Sequence, residues 1–409
     1  MSLPTIDYSI KDIENLVAQT IDGNIKNIEM TRLTAPGENY LSIVLKVDFL
    51  VEKNGKFSTI NAVAKRLPMG NVANEFHKFA MRSEILWYSE LLPVLIEFGN
   101  EFGIDTSYFP KYLGSRLGNG KDEEPILLLQ NLIPEGYRNV DRLVGFDLET
   151  TKAILRSLAA FHALPIIMKF KKPESFKIVK DFLDKNSPIA LKPPPPPVEN
   201  EKPIIDQAMQ IMFDKIFAIP SCQKYRLNIE KVSKNIPMRF VSSGTEPWKT
   251  IGHSDFWINN LMIKSENVKD PMVKIVDFQL SNYTSYASDV IFFLLTSVRD
   301  DVQRQSLDEL FKYYYDQLTT ITSKANVPEL KLSYSTYLEE IKTLAPSEKI
   351  RHALFFCNTI FEKKGNVPDV LTGEGNMDQH MKYMVEHMNE RQKEKMSLII
   401  ELSVEKGWI

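Results

Sequence analysis

Cysteine is nearly absent: the 409 residues hold two, Cys222 and Cys357. That argues against a disulfide framework and for packed thiols in a reducing compartment. No long hydrophobic run is evident either. The most apolar short stretch, Val290 to Leu295, is far below the ~20 residues that span a bilayer. The start, Met1-Ser2-Leu3-Pro4, lacks the basic and apolar regions of a signal peptide. A cytoplasmic protein without a membrane partner is the expectation. An excess of one charge is also missing. The formal net charge of −3 recommends neither nucleic acid nor an anionic surface as partner. There is no internal repeat, no Walker A sequence and no G-x-G-x-x-G loop. The first of these motif absences argues against P-loop nucleotide hydrolases.

What is present is an ordinary globular composition, 43% hydrophobic and 25% charged. Single cores stop growing at roughly 250–300 residues, so a chain of this length is expected to form two lobes. Residues 11–30 read as an amphipathic helix. Leu41, Ile43, Leu45, Val47, Phe49 and Val51 alternate as a strand does, Asn54-Gly55 marks a hairpin, and Ser58 to Leu67 forms the returning strand. On that strand Ile60, Ala62 and Ala64 take one face and Asn61, Val63 and Lys65 the other. A helix over 75–92, ended by Pro93, places Glu84 among apolar neighbours, and Ile126 to Leu129 is a further strand. From Leu148 helices dominate, the first closed by Pro165. Pro193 to Pro197 is a polyproline spacer. Strands interrupt the helices only between Thr250 and Phe278. The fold class is therefore α+β and bilobal. A small N-terminal lobe (1–131) carries an antiparallel sheet plus helix. A larger, mostly helical lobe (132–409) carries a catalytic hairpin at 250–280 and an insertion at about 168–200.

Chemistry concentrates in His253-Ser254-Asp255-Phe256-Trp257-Ile258-Asn259-Asn260 and in Asp277-Phe278-Gln279. An Asp followed five residues later by an Asn, then a strand ending in Asp-Phe, is what phosphoryl transfer requires. One carboxylate takes the proton of the acceptor hydroxyl. The amide and the second carboxylate hold the Mg²⁺ that bridges the phosphates of ATP. Mg²⁺ is a hard cation that prefers oxygen ligands, so Asn260 and Asp277 suffice beside the phosphates and water. Asp255 need only be ionised near neutral pH, as an unperturbed Asp is. Lys65 can reach the α- and β-phosphates, and Glu84 has no evident partner except that lysine. Pro36-Gly37-Glu38-Asn39 lies where a phosphate-covering loop belongs. His253 is assigned a structural role.

These segments resemble the insect ecdysteroid kinase-like family, within the choline-kinase and aminoglycoside-phosphotransferase group of protein-kinase-like folds. His253 to Asn260 is similar to its H-G-D-x-W-x-N-N motif, and Gly37-Glu38-Asn39-Tyr40 to its G-E-N-[FY] loop. Lys65 to Pro68, Glu84 to Pro93, Leu129 to Arg142, Leu158 to Ala163 and Ser288-Asp289-Val290 resemble its remaining motifs. The resemblance implies transfer of the ATP γ-phosphate to a hydroxyl of a small molecule, an ecdysteroid or a dietary or xenobiotic compound. It implies catalytic roles for Asp255, Lys65 and Glu84. It assigns the nucleotide to Gly37, Asn39, Lys65, Gln130, Asn131 and Leu132, and the metal to Asn260 and Asp277. It implies that Asp289 braces the catalytic loop. Two positions depart from the pattern. Ser254 replaces Gly, which costs on the order of 1–2 kcal/mol if φ is positive there. Gln130-Asn131 replaces Glu-Asp in the hinge.

A binding protein on the same fold, catalytically weak or inactive, is the competing reading. Intact Asp255, Asn260, Asp277 and Lys65 favour the enzyme. A protein kinase is disfavoured because the span from Asp277 to Asp289 leaves no room for an activation segment. The acceptor pocket is expected in the helical lobe, between residues 140–250 and 285–365; an apolar lining by Phe256, Trp257, Tyr283 and Phe356 would suit a steroid or phenolic ligand, but such aromatics are more often plain core, so no specificity is assigned.

Overall fold

A computed structural model describes residues 8–33, 42–67, 75–119, 123–188, 204–233, 244–265, 270–362 and 377–409. The polyproline stretch, Gly37 and Asn39 lie outside them. The chain forms two lobes of the α+β class. The first contains helix α1 (Ile13–Val17), strands β1 (Asn24–Arg32), β2 (Ile43–Lys53) and β3 (Lys56–Arg66), helices α2 (Glu75–Leu86) and α3 (Leu92–Phe102), and strands β4 (Tyr112–Arg116) and β5 (Ile126–Gln130). The five strands make one antiparallel sheet in the order β1-β2-β3-β5-β4. Asn54 and Gly55 turn the β2–β3 hairpin with φ of 52° and 74°, the doubly positive geometry that two-residue hairpins favour.

Alternation gives this sheet two dry faces. Ile43, Leu45, Val47, Phe49, Ala62, Ala64, Ile126 and Leu128 pack under Ile13 and Val17. Val63, Leu67, Leu127 and Leu129 face the other way and join the larger core with α2 and α3. Lys65 stands on this second face, opposite Val44 and Leu127 in the neighbouring strands.

Residues 11–30 are not one helix. Only Ile13–Val17 is helical, and β1 follows. A bulge between Ile25 and Asn27 inserts an extra residue, so the inward positions of β1 run Ile25, Ile28, Met30. The three-residue step imitates helical spacing. The helix over 75–92 does not stop at Pro93 either. A π-helical turn, Trp87–Leu91, joins α2 to α3, and Pro93 sits in the first turn of α3, where its missing N–H is tolerated.

The second lobe contains α4 (Leu148–Lys171), α5 (Pro173–Asn186), α6 (Ile204–Phe217), α7 (Arg226–Ser233), β6 (Lys249–Gly252), β7 (Leu261–Lys264), β8 (Met272–Ile275), β9 (Asn282–Ser285), α8 (Tyr286–Thr296), α9 (Asp300–Lys324), α10 (Tyr334–Leu344), α11 (Ile350–Ile360), α12 (Met377–Glu386) and α13 (Glu390–Glu405). Asp147 caps α4 by accepting from Thr150 N–H at 2.8 Å, and the helix runs past Pro165 to Lys171. Its length and composition would suit a membrane span, yet 78% of its apolar window is buried among neighbouring helices, which marks a core helix. α5 falls within the expected insertion. β7 and β8 form a hairpin, and β6 pairs with β9. These two small ladders place the chemistry-bearing residues.

Candidate active site

β6 delivers the chain into His253-Ser254-Asp255. Gly252 ends the strand against β9 so closely that a Cβ there would lie 2.5 Å from Thr284 Cγ2, so the position requires glycine. His253 and Ser254 donate their backbone N–H groups to Asp289, at 2.7 Å to Oδ2 and 2.9 Å to Oδ1. Asp289 lies in the first turn of α8, 2% exposed. Ser254 has φ of +66°, the left-handed conformation in which its departure from glycine is a strain. Its hydroxyl donates to Asn282 Oδ1 at 2.8 Å, an offsetting bond that glycine cannot make. Asn282 carried no role in the sequence reading. Nothing but its position on β9 opposite Gly252 marks it.

Asp255 and Asn260 are joined directly. Asn260 Nδ2 donates to the backbone oxygen of Asp255 at 2.8 Å and to its Oδ2 at 2.9 Å. The amide hydrogens are thereby engaged, and Oδ1 is the end of Asn260 left for a cation. Val276 N–H donates to Asn260 C=O at 3.0 Å, which ties the two motif segments together. Asp255 does not titrate as a free Asp. Burial first, and then the charge of Asp277, push it up to about 7 against the hydrogen bonds of Asn260 and Trp257. The expectation of an unperturbed carboxyl is therefore corrected.

On β3, Lys65 Nζ lies 2.6 Å from Glu84 Oε2 and donates to Asp277 Oδ1 at 2.9 Å. The pairing of Lys65 with Glu84 is as the sequence spacing implied, and Asp277 is a second partner of the same ammonium. Burial opposes the Lys65 charge, yet the two carboxylates outweigh it and hold the group above the usual lysine range. Burial raises the Glu84 carboxyl, with Lys65 pulling it back. Asp277 itself has φ of +70°, so both turns that bear acids, at Ser254 and Asp277, include a left-handed residue. Such backbone strain persists where surrounding structure fixes it. Here Phe278 does so. Its ring stacks on Trp87 at 3.8 Å and 9°, and meets Tyr88, Phe109 and Phe161. The π-helical turn thus supplies the surface against which the Asp-Phe turn seats, a contact that no sequence motif announced.

The segment between the lobes is held by its own polar groups. Asn131 donates its N–H to Asn61 C=O at 3.0 Å, and its Oδ1 accepts from Ile133 N–H at 3.1 Å. Gln130 Oε1 accepts from Lys111 N–H at 3.2 Å, and its Nε2 donates to Glu135. Leu132 C=O accepts from Glu135 and Tyr137 N–H, while Leu132 N–H donates to no described residue. Of these three residues, Gln130 and Asn131 have their backbone N–H groups engaged, by Lys111 and Asn61 carbonyls, and Leu132 does not. Arg142, just beyond, donates to the carbonyls of Thr359 and Glu362 at 2.8 and 2.7 Å and ties this stretch to the end of α11.

The aromatic residues expected to line an acceptor pocket are core side chains for the most part. Phe256 is fully buried against His253 and Phe293. Trp257 is 6% exposed and meets Phe356 edge-on at 4.9 Å. Tyr283 is buried, and its hydroxyl donates to Glu246 at 2.6 Å. Among the described residues no group of three His, Cys, Asp or Glu side chains could hold a metal. An Asn amide oxygen with one carboxylate is nonetheless a fitting donor set for Mg²⁺, which takes phosphate and water oxygens for its remaining positions.

A lysine–glutamate pair facing an Asp–Asn loop, with an Asp-Phe turn beside it, is the arrangement of kinase-like folds. Within that class, the chain belongs to the ecdysteroid kinase-like family, which it matches over residues 36–327. No curated protein sequence matches it. Among solved structures it is similar to a variant of aminoglycoside 2'-phosphotransferase-IIIa in its GDP complex, at 14% identity over 96% of this chain and 94% of that one, with a TM-score of 0.41. It is also similar to an ethanolamine kinase from Plasmodium vivax, at 11% identity over 93% and 84% of the two chains, with a TM-score of 0.40.

Proposed function

We propose that this chain transfers the γ-phosphate of ATP to a hydroxyl group of a small molecule, an ecdysteroid or a dietary or xenobiotic compound. The observation that carries the reading is the sharing of Lys65 between Glu84 and Asp277, with Asp255 and Asn260 bonded to each other on the adjoining loop. Asp255 is the general base. A carboxyl pushed up to about 7 accepts a proton near neutral pH without becoming too weak an acid to release it afterwards. Lys65 orients the α- and β-phosphates, and Glu84 keeps its ammonium in place. The resemblance to the family assigns Gly37 and Asn39 to the phosphates. Gln130, Asn131 and Leu132 receive the base, with Leu132 N–H as the donor. Asn260 Oδ1 and Asp277 would hold Mg²⁺, which when bound neutralises charge on the phosphates. Asp289 braces the loop that bears Asp255.

Replacement of Asp255 by Asn tests the mechanism. With Mg-ATP and a panel of sterols, phenolics, choline and amino alcohols, ADP release should fall by at least ~10³-fold, while ATP binding measured by calorimetry stays within about threefold. Undiminished turnover in that variant removes Asp255 as the base. No turnover by the unmodified chain on any member of the panel favours a binding protein instead.

A further inference from the structure

We propose that Tyr314, acting through His162 and Asp289, is a positioning residue for the loop that carries Asp255. The three side chains come from α9, α4 and α8 and meet where no solvent reaches. Tyr314 and His162 are each 0% exposed, and Asp289 is 2% exposed. Tyr314 Oη lies 2.6 Å from His162 Nδ1, and His162 Nε2 lies 3.2 Å from Asp289 Oδ2. The same carboxylate receives the N–H groups of His253 and Ser254. A continuous chain of hydrogen bonds therefore joins a tyrosine of a distant helix to the backbone beside the acid.

The direction of each bond follows from the chemistry of its members. Burial opposes the Asp289 charge, but the bonds from His162 and Ser254 help hold the carboxyl below its usual range. An ionised carboxylate only accepts, so Nε2 carries a hydrogen. In a neutral ring whose hydrogen is on Nε2, Nδ1 is a lone pair, and the Tyr314 phenol, which burial keeps protonated, is its donor. Tyr314 thereby satisfies the buried Nδ1 of the tautomer that Asp289 imposes. Without the hydroxyl, Nδ1 becomes a buried acceptor with no donor. The backbone of His162 is fixed as well. Its carbonyl accepts from Thr250 Oγ1 at 2.8 Å, and Thr250 lies on the strand that runs into His253. The loop needs this support, because Ser254 occupies a left-handed conformation that relaxes once its N–H bond loosens.

The catalytic consequence rests on the kinase reading above, but the structural consequence does not, and the two are separable. The test compares Tyr314→Phe with Tyr337→Phe. Tyr337 belongs to the same stack of rings, 6.2 Å from Tyr314 and 5.8 Å from Tyr286, and its hydroxyl has no hydrogen-bond partner among the described residues. Tyr314→Phe should speed hydrogen exchange at the His253 and Ser254 amides about tenfold. It should lower kcat about tenfold and leave the KM for ATP within about twofold. Tyr337→Phe should do neither. Unchanged exchange at the two amides overturns the proposal. So does an equal effect from Tyr337→Phe, which would assign the effect to the ring stack. Unchanged kcat in a chain that turns over overturns the positioning role. Faster exchange in a chain that turns over no acceptor upholds the hydrogen-bond relay and counts against the kinase reading alone.

Discussion

The two sides of the cleft keep their buried acids by opposite means. On the small-lobe side, Glu84 faces a cation that it shares with Asp277, and burial raises the carboxyl in spite of that cation. On the large-lobe side, Asp289 receives two backbone N–H groups and an imidazole, and it stays below the usual carboxylate range. Three converging hydrogen bonds fix a carboxylate in one place. A shared ammonium leaves its partners able to exchange. One side is thus a rigid brace and the other a set of charges held by a partner they share.

The largest expected effect falls on the brace. Asp289→Ala strands two buried backbone donors and the His162 N–H, so it should destabilise the chain by about 3–5 kcal/mol in urea unfolding. A loss under about 1 kcal/mol would erase the distinction between the sides. Next comes the shared cation. Lys65→Met should cut kcat/KM at least ~100-fold and destabilise by about 3 kcal/mol, because it leaves Glu84 without its cation. Adding Glu84→Gln should restore most of that stability and none of the activity. If the double variant is no more stable than the single one, the small-lobe pair is as rigid a brace as Asp289.

An effect confined to acid pH concerns a third buried group. Burial first, and then the nearby charge of Lys349, depress His352 from 6.5 to about 3. The unfolded chain therefore binds the extra proton between those values. This contribution to stability is complete above the unfolded value and declines by about 1.4 kcal/mol per pH unit as pH falls toward the folded one. His352→Gln should flatten that part of the acid-unfolding curve, read by circular dichroism. An unaltered slope would show that the imidazole does not remain neutral in the fold. The smallest effect is at Ser254. Ser254→Gly relieves about 1–2 kcal/mol of backbone strain and loses one bond to Asn282 worth about 1 kcal/mol, so unfolding midpoints should barely move. Ser254→Ala keeps the strain and loses the bond, and it should be the less stable of the two.

Much of this site was legible before any coordinates, because its parts sit on strongly patterned elements. The alternation along β3 put Lys65 on the face opposite Ala62 and Ala64, and helical spacing put Glu84 among apolar residues, so their meeting followed. The motif around Asp255 and Asn260 was legible as a unit, since a loop this short suffices to bring an amide back onto a carboxylate. What escaped has physical reasons. The bulge in β1 gave a strand a helical rhythm. The π-helical turn carried a helix through Pro93, where standard hydrogen bonding would have ended it. Tyr314 lies far along the chain from His162, and no local pattern encodes a bond between distant helices. The aromatics Phe256, Trp257 and Tyr283 stayed open between lining and core, because composition does not distinguish a pocket wall from a packed core.

Trp87 has a practical use that follows from its flat stack on Phe278. The chain contains four tryptophans, so fluorine-labelled indoles give four resonances at most. Replacing Trp87 by phenylalanine identifies its own. Any rotation of the Phe278 ring shifts that signal, which makes the indole a built-in reporter on the turn bearing Asp277, readable without any acceptor present.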